Sequence, residues 1–432
     1  MRIGLLTQWY DPEPGPAALP GTLARGLVAR GHQVSVLTGF PNYPTGRLPE
    51  GWRMSRVQRR LERGVSVTRV ALYPSHDAST ARRMANYGSF GASALVNGLS
   101  ALRGADAIWV NYSPITVAPA MFAARYLHGT PLICHIGDLW PDTLTAGGFA
   151  PSHPVLGRAV DAALHRWCDA MYAASEVVTY IAPGVHRLLR ERGVPEEALA
   201  YAPMWAEEST FRPADSETRA EGAAWRRELG VSDDDVLCLY AGAIGRAQGL
   251  GTLVEAVAGL RREHPELAAR LRVVVVGSGV AEDELRAQVG ASGVGDVVTF
   301  AGRVPQERMP TLMAAADVCF VGLAATPLSA VTMPSKTQAT LAAGKALLVA
   351  ADGDIQQVVA DSGAGWAVDS GDAARLTEAM VSVCQSGRDG LARRGAAARA
   401  HYDREFSLDV ALDRAEAHLT RARDARRGGP TR

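Results

Sequence analysis

At 432 residues, with 47% hydrophobic and 21% charged residues, the chain is too long for one hydrophobic core and too apolar for disorder. Lys plus Arg and Asp plus Glu stand at 45 each, so no net field draws the whole chain to nucleic acid or membrane, and any such partner has to meet a local patch. The five cysteines are scattered, without a CxxC pair or a zinc-like His spacing, which predicts reduced buried thiols and a cytoplasmic protein with no structural metal.

The N-terminal apolar run is too short for a secretory leader and reads as a first strand, Ile3–Thr7. A helix over Ala17–Arg30 and a strand over Gln33–Thr38 follow, then strands at Val65–Arg69, Ala107–Val110, Leu132–His135 and Met171–Ala173. Tyr201–Ser216 is Pro-rich and aperiodic, and the alternation then restarts with strands at Val236–Ala241, Arg272–Val276, Val297–Ala301, Val318–Val321 and Ala346–Ala350. Short β-branched runs separated by helical patterns predict α/β architecture with parallel sheets. The expected domains are a Rossmann-like unit over 1–205, a second over 206–400, and a helix over 401–432 that packs back toward the first and ends in a frayed basic tail. No stretch approaches the roughly 18 apolar residues of a spanning helix, which limits any membrane contact to the periphery.

In doubly wound sheets, ligands gather beyond the carboxyl ends of the strands. Asp11–Ala18 follows the first strand, and its Gly15 permits close backbone approach, although taken alone a Pro-rich strand-to-helix turn accounts for it better. Gly242–Leu250 follows VLCLYA and opens a helix; Gly242 and Gly245 are small, and Arg246 can clamp phosphate. Gly277-Ser278-Gly279 fits tight-turn packing as well as ligand contact, and Gly302-Arg303-Val304-Pro305 fits either a turn or a base pocket. Pro334-Ser335-Lys336 leads a small-residue helix, Thr337–Ala343, and so sets a hydroxyl, a cation and free N–H groups where phosphate binds well. Asp138 and His135, at the end of LICH, suit acid, base or orienting roles; a capping carboxylate and a buried imidazole are the structural readings. Asp352-Gly353-Asp354 imitates a metal-binding DxD but reads as a turn, so no metal is required. Arg53–Arg63, and Arg82-Arg83 near Tyr87 and Phe90, form either a solvated face or a patch for anionic lipid or an acceptor pyrophosphate.

The ordered segments DPEPGPAA, RGHQVSVLTGFPNYPTGRLPEGW, NYSPITVAPA, GDLWPDTL, YAGAIGRAQGL, GSGVAEDEL, FAGRVPQERMPTLMAAADVCFV, MPSK, AAGKALL and SGAGWAV run from Asp11 to Val368. Together they resemble the GT-B glycosyltransferases of family 4, most of all a WbuB-like branch. The resemblance implies two Rossmann-like doubly wound domains facing across a cleft, with retaining, metal-independent transfer from a UDP or GDP sugar that serves as co-substrate rather than cofactor. It implies Asp138, Arg246 and Lys336 as catalytic residues. Gly15, Gly242, Gly245, Gln248, Gly277, Gly279, Arg303, Val304, Pro334 and Ser335 would bind the donor, and Glu13, Tyr43, Tyr112, His135 and Trp140 the acceptor. That acceptor is a lipid-linked sugar or a small molecule, including a thiol or amino-sugar scaffold. A cytoplasmic enzyme, peripheral at the inner membrane face, a homodimer or not, and without nucleic acid, fits this picture.

Departures from the family pattern are Ala243 and Gln248 in place of a Gly-Arg and Lys-Gly pair, Gly137 before Asp138, and above all Ala339, with Val331 eight residues earlier, where two glutamates often sit. Losing a ribose clamp costs on the order of 1 to 3 kcal/mol. A catalytically silent homologue that binds nucleotide or a partner is the alternative. An NAD-type oxidoreductase ranks below both, because no GxGxxG with a following acid opens either unit.

Overall fold

The aliphatic runs become strands of two separate sheets in the computed structural model, which describes residues 1–76, 79–143 and 154–427. One unit comprises Met1–Pro203 and Ala411–Arg432, the other Met204–Val410.

In the first unit the strands are β1 (Arg2–Leu6), β2 (Gln33–Gly39), β3 (Val57–Glu62), β4 (Val65–Val70), β5 (Ala107–Asn111), β6 (Leu132–Ile136), β7 (Val177–Tyr180) and β8 (Leu199–Tyr201). Their spatial order is β3-β4-β2-β1-β5-β6-β7-β8, with all pairs parallel except the β3–β4 hairpin. Every residue of β6 is buried, as expected where helices cover both faces of a parallel sheet. The order reverses between β1 and β5, which makes the loops after those strands a topological switch point.

One expectation changes here. Met171–Ala173 is the last turn of the helix Pro154–Ala173, and the strand is the β-branched run that follows, Val177–Tyr180. Three residues carry no period that separates a strand from a helix end. The basic segment is mostly strand β3, on the sheet edge, where charged side chains discourage pairing with other chains.

The second unit has β9 (Val236–Ala241), β10 (Leu271–Val276), β11 (Val298–Gly302), β12 (Val318–Gly322), β13 (Ala346–Ala350) and β14 (Gly365–Val368), all parallel in the order β11-β10-β9-β12-β13-β14. Its switch point lies between β9 and β12. Leu253, Val257, Val273, Val275, Phe320 and Leu376 share one core cluster, so the helices Leu250–Glu263 and Ala373–Glu405 cover one face of the sheet. The latter breaks at Gly387, whose φ of 61° no helix accommodates.

The closing helix, Leu408–Arg427, contributes its residues from Ala411 onward to the first unit. Arg30 there donates to Asp413 at 2.6 Å and Glu416 at 2.8 Å, and His32 meets Glu416 at 2.6 Å. A Cβ on Gly26 would approach Leu412 to 2.6 Å, so the two helices pack closely there. The last residues expected to fray, 428–432, lie outside the described residues, as does Leu144 of the GDLWPDTL segment.

Candidate functional site

Three loops beyond the second sheet interlock through their backbones. Gly242 N–H donates to the Val276 carbonyl at 2.9 Å, Ile244 N–H to Ser278 at 3.0 Å and Gly277 N–H to Gly302 at 2.8 Å. A Cβ on Gly277 would strike the Gly242 carbonyl oxygen, and one on Gly279 the Ile244 carbonyl. Loop packing by itself therefore requires glycine at both positions.

Lys336 crosses this interlock. A Cβ on Gly242 would lie 2.5 Å from Lys336 Cε, so any larger residue there would make the end of the lysine side chain shift. The ammonium sits 5.3 Å from the Tyr240 ring centroid, a cation–π distance, and burial lowers its pKa. No carboxylate pairs with it among the described residues. It belongs to the first turn of the helix Ser335–Ala342, where Pro334 brings no side-chain cap and no acid neutralises the dipole. A half-buried cation beside uncapped N–H groups is arranged to take an anion. Ser335 is exposed at this end, whereas the Thr337 hydroxyl and Gln338 Oε1 are buried without partners among the described residues.

Other parts of this stretch are structural. Lys345 donates to the carbonyls of Ala314 and Ala316 at 3.1 and 2.8 Å, closing the end of the helix Met309–Ala315. Ala339 is buried in an apolar cluster with Leu237, Leu239 and Val274 and offers no oxygen. Gln248 Oε1 accepts from Gly245 N–H at 3.0 Å, so its carbonyl holds the turn rather than reaching for a ligand. The Arg246 side chain is 85% exposed and pairs with Glu284 at 3.2 Å, away from any buried clamp. Such a surface pair is worth roughly 0 to 1 kcal/mol and exchanges readily for another anion. Arg303 is exposed, while Val304 packs against the Leu237–Val274 cluster. Asp352 accepts from Ser370 N–H at 2.9 Å, and no cluster of three metal-ligating side chains occurs among the described residues.

Beyond the first sheet the construction differs. Trp9 meets Tyr43 and Tyr87 edge-on at 6.4 and 6.1 Å, and Tyr43 meets His76 at 4.8 Å. Tyr87 also contacts Trp140 at 6.3 Å. Burial raises the Tyr87 pKa, opposed by Arg83 and assisted by Asp138 and Tyr43, which gathers those charges around one phenol. Asp138 reaches solvent from within a dense surround, and the loss of water there holds its carboxyl above the usual range. Trp9 and His76 were not singled out as ligands from the sequence, and Arg83 and Tyr87 entered only as part of a basic patch for lipid or pyrophosphate. Trp9 in the loop after β1, and Tyr87 one helical turn from Arg83, were the available signals.

Beneath the rings lies a polar network. Gln8 Nε2 donates to Asn86 Oδ1 at 2.6 Å, and Asn86 Nδ2 donates to Asn42 Oδ1 at 3.1 Å and the Tyr73 carbonyl at 2.7 Å. Glu13, 3% exposed, accepts from the N–H groups of Asn42 at 2.8 Å, Tyr43 at 3.0 Å and Tyr10 at 3.2 Å. Burial pushes its carboxyl up to about 7 despite those three bonds. Glu13 thus ties the β1 loop to the β2 loop and sets the Tyr43 backbone; its oxygens are engaged by protein. Gly15 has a φ of 66° and nothing within 4 Å of its missing Cβ, so its glycine answers a backbone conformation facing open space.

Three residues expected at the acceptor have structural partners of their own. Tyr112 is fully buried, its hydroxyl bonded to the Trp140 carbonyl at 2.9 Å and to Cys168 Sγ and Tyr172 at 3.0 Å each. His135 is buried against Trp109 with Nδ1 2.9 Å from the Thr179 hydroxyl, and burial lowers its pKa to about 3, which removes it from proton transfer near neutrality. Trp140 is buried too and serves as a wall behind Tyr87.

Residues 222–401 match the family model "Glycosyl transferases group 1", and residues 15–205 match "Glycosyl transferase 4-like domain". The chain is 27% identical over 350 residues to the putative colanic acid biosynthesis glycosyl transferase WcaI of Escherichia coli, covering 79% of this chain and 81% of the relative. It is 30% identical over 261 residues to the D-inositol 3-phosphate glycosyltransferase of Acidothermus cellulolyticus, covering 59% and 54%. Among solved structures, Anabaena Alr3699/HepE in complex with UDP superposes with a TM-score of 0.69 at 16% identity over 97% of this chain and all of that one. WaaG, a glycosyltransferase involved in lipopolysaccharide biosynthesis, gives 0.63 at 17% identity over 99% and 100%. Both likenesses are to the fold.

Proposed function

Since the chain belongs to the family 4 glycosyltransferases of the GT-B fold, we propose that it transfers a sugar from a nucleoside diphosphate donor to a lipid-linked or small-molecule acceptor, with retention and without a metal. The observation that carries the reading is Lys336: a half-buried ammonium laid over Gly242, unpaired with any carboxylate among the described residues, at an uncapped helix start. A diphosphate leaving group builds negative charge as the glycosidic bond breaks, and a preorganised cation there stabilises the transition state more than the ground state. Arg246 is free to exchange Glu284 for a phosphate oxygen. The UDP complex of HepE favours uridine over guanosine as the base to try first.

For the acceptor, the rings of Trp9, Tyr43, His76 and Tyr87 offer apolar faces with polar edges, a surface suited to a sugar or polyol. Asp138 beside them would orient an acceptor hydroxyl. Titrating the protein with UDP and GDP, then assaying transfer or hydrolysis with a panel of nucleotide sugars, tests the reading; failure of Lys336→Ala to weaken UDP binding rejects it. The buried, apolar setting of Ala339 favours one second reading, a homologue that retains nucleotide binding without turnover. Tight UDP binding with no transfer across the panel would select it.

A further inference from the structure

We propose that the first unit carries a second ligand site, for a small phosphate-bearing anion, in the cavity between the β3–β4 hairpin and the loop after β1. The cavity has a volume of about 590 Å³, and Tyr10, Trp52, Arg60, Glu62, Arg63 and Arg69 are among its lining residues. That size suits a sugar phosphate or a diphosphate. All of its walls belong to the first unit, and none of its residues takes part in the aromatic shell of Trp9, Tyr43, His76 and Tyr87.

Arg69 belongs to the buried part of the cavity wall. Its side chain is 1% exposed, and its terminal nitrogens donate to Glu62 at 2.6 and 3.0 Å and to the Asp11 carbonyl at 2.8 Å. Its Nε–H is buried with no partner among the described residues, so the positive charge of this guanidinium is only partly engaged by hydrogen bonds. Charge bookkeeping agrees. Arg25 is matched by Asp11 and Arg69 by Glu62, whereas Arg60 and Arg63 have no carboxylate among the described residues. Glu13, also in the wall, is committed to three backbone N–H groups.

Trp52 supplies a flat face, held by Arg69 at 4.9 Å and Arg60 at 6.0 Å from its ring centroid. Arg63 sits at the hairpin turn with a φ of 50°, the one non-glycine in the left-handed region among the described residues. Asn or Gly is the easier residue in such a turn, so the strained position is given to a cation. Several guanidinium groups around one cavity recognise the multiple oxygens of phosphate better than a single carboxylate.

The test is isothermal titration of the full chain with inorganic pyrophosphate and with glucose 6-phosphate, alongside cosedimentation with phosphatidylglycerol vesicles. Wild type should bind at least one of these. Arg60→Gln/Arg63→Gln should weaken that binding at least tenfold with an unchanged melting temperature, while Arg53→Gln/Arg56→Gln, nearby but outside the cavity, should leave it unaltered. Loss confined to the soluble phosphates identifies a free ligand; loss confined to vesicles identifies a lipid headgroup. No binding by wild type, an unchanged Arg60/Arg63 variant, or equal loss in the Arg53/Arg56 variant overturns the proposal. Because Lys336→Ala leaves this cavity intact, binding that disappears in that variant instead would place the phosphate on the second unit and also reject the site.

Discussion

The two sheets share a central strand order, to which the first adds an edge hairpin strand and one further strand, but their loop ends are built from different materials. In the second unit, glycines let backbone pack on backbone until one lysine is laid over the interlock; in the first, side-chain rings stand on a floor of amides and one carboxylate. A backbone-built site tolerates almost no added atom, whereas a side-chain-built site can lose a ring and keep its fold. The lesson is that equal topology does not mean equal mutational tolerance.

The sharpest way to break this comparison is Gly277→Ala. The new methyl would strike the Gly242 carbonyl at a φ of 133°, so a loss of roughly 3 kcal/mol or more is expected, read as the urea midpoint. A loss under about 1 kcal/mol would show that the loops yield easily. Next, Lys336→Ala should lower transfer by about 100-fold with the fold intact, in line with removal of a preorganised transition-state contact. Tyr87→Ala, by contrast, should raise the acceptor KM about tenfold with little change in melting temperature, since a half-buried ring is lost from a floor that remains.

Glu13 gives a pH-dependent test. Its folded carboxyl titrates at about 7 against an ordinary value of 4.5, so the native state holds the proton more tightly than the unfolded chain does. Stability from this group is therefore present below 4.5 and is lost as pH rises to 7, by about 3 kcal/mol in all. Glu13→Gln should flatten that slope between pH 5 and pH 7.5 in urea unfolding; an unaltered slope would mean the carboxyl is not the titrating group. The smallest effect belongs to Arg246→Ala. With an exposed side chain paired only to Glu284, it should cost about fivefold in transfer and nothing measurable in stability.

Much of the fold was legible in the letters. The runs VLCLYA and ALLVA coincide with β9 and β13 residue for residue, because a buried parallel strand is a continuous apolar run bounded by turn residues. Met171–Ala173 failed because a helix end and a short strand look alike over three residues, and β3 went unread because its arginines mask an edge strand. At the site, Lys336 was legible from Pro-Ser-Lys before a small-residue helix. Tyr112 and His135 were not, since a polar aromatic after a strand reads the same whether it faces a ligand or a buried hydroxyl.

The sequence by itself determined the strand–helix alternation, the two-unit division and the phosphate-suited helix start, all of which depend on local period and near-neighbour chemistry. Only the tertiary structure decided which glycines touch one another, that Glu13 serves the backbone, and that Trp9, Tyr43 and His76 from three loops converge with Tyr87 from the helix Thr80–Ser93. Those facts rest on contacts between residues tens of positions apart, which local periodicity does not record.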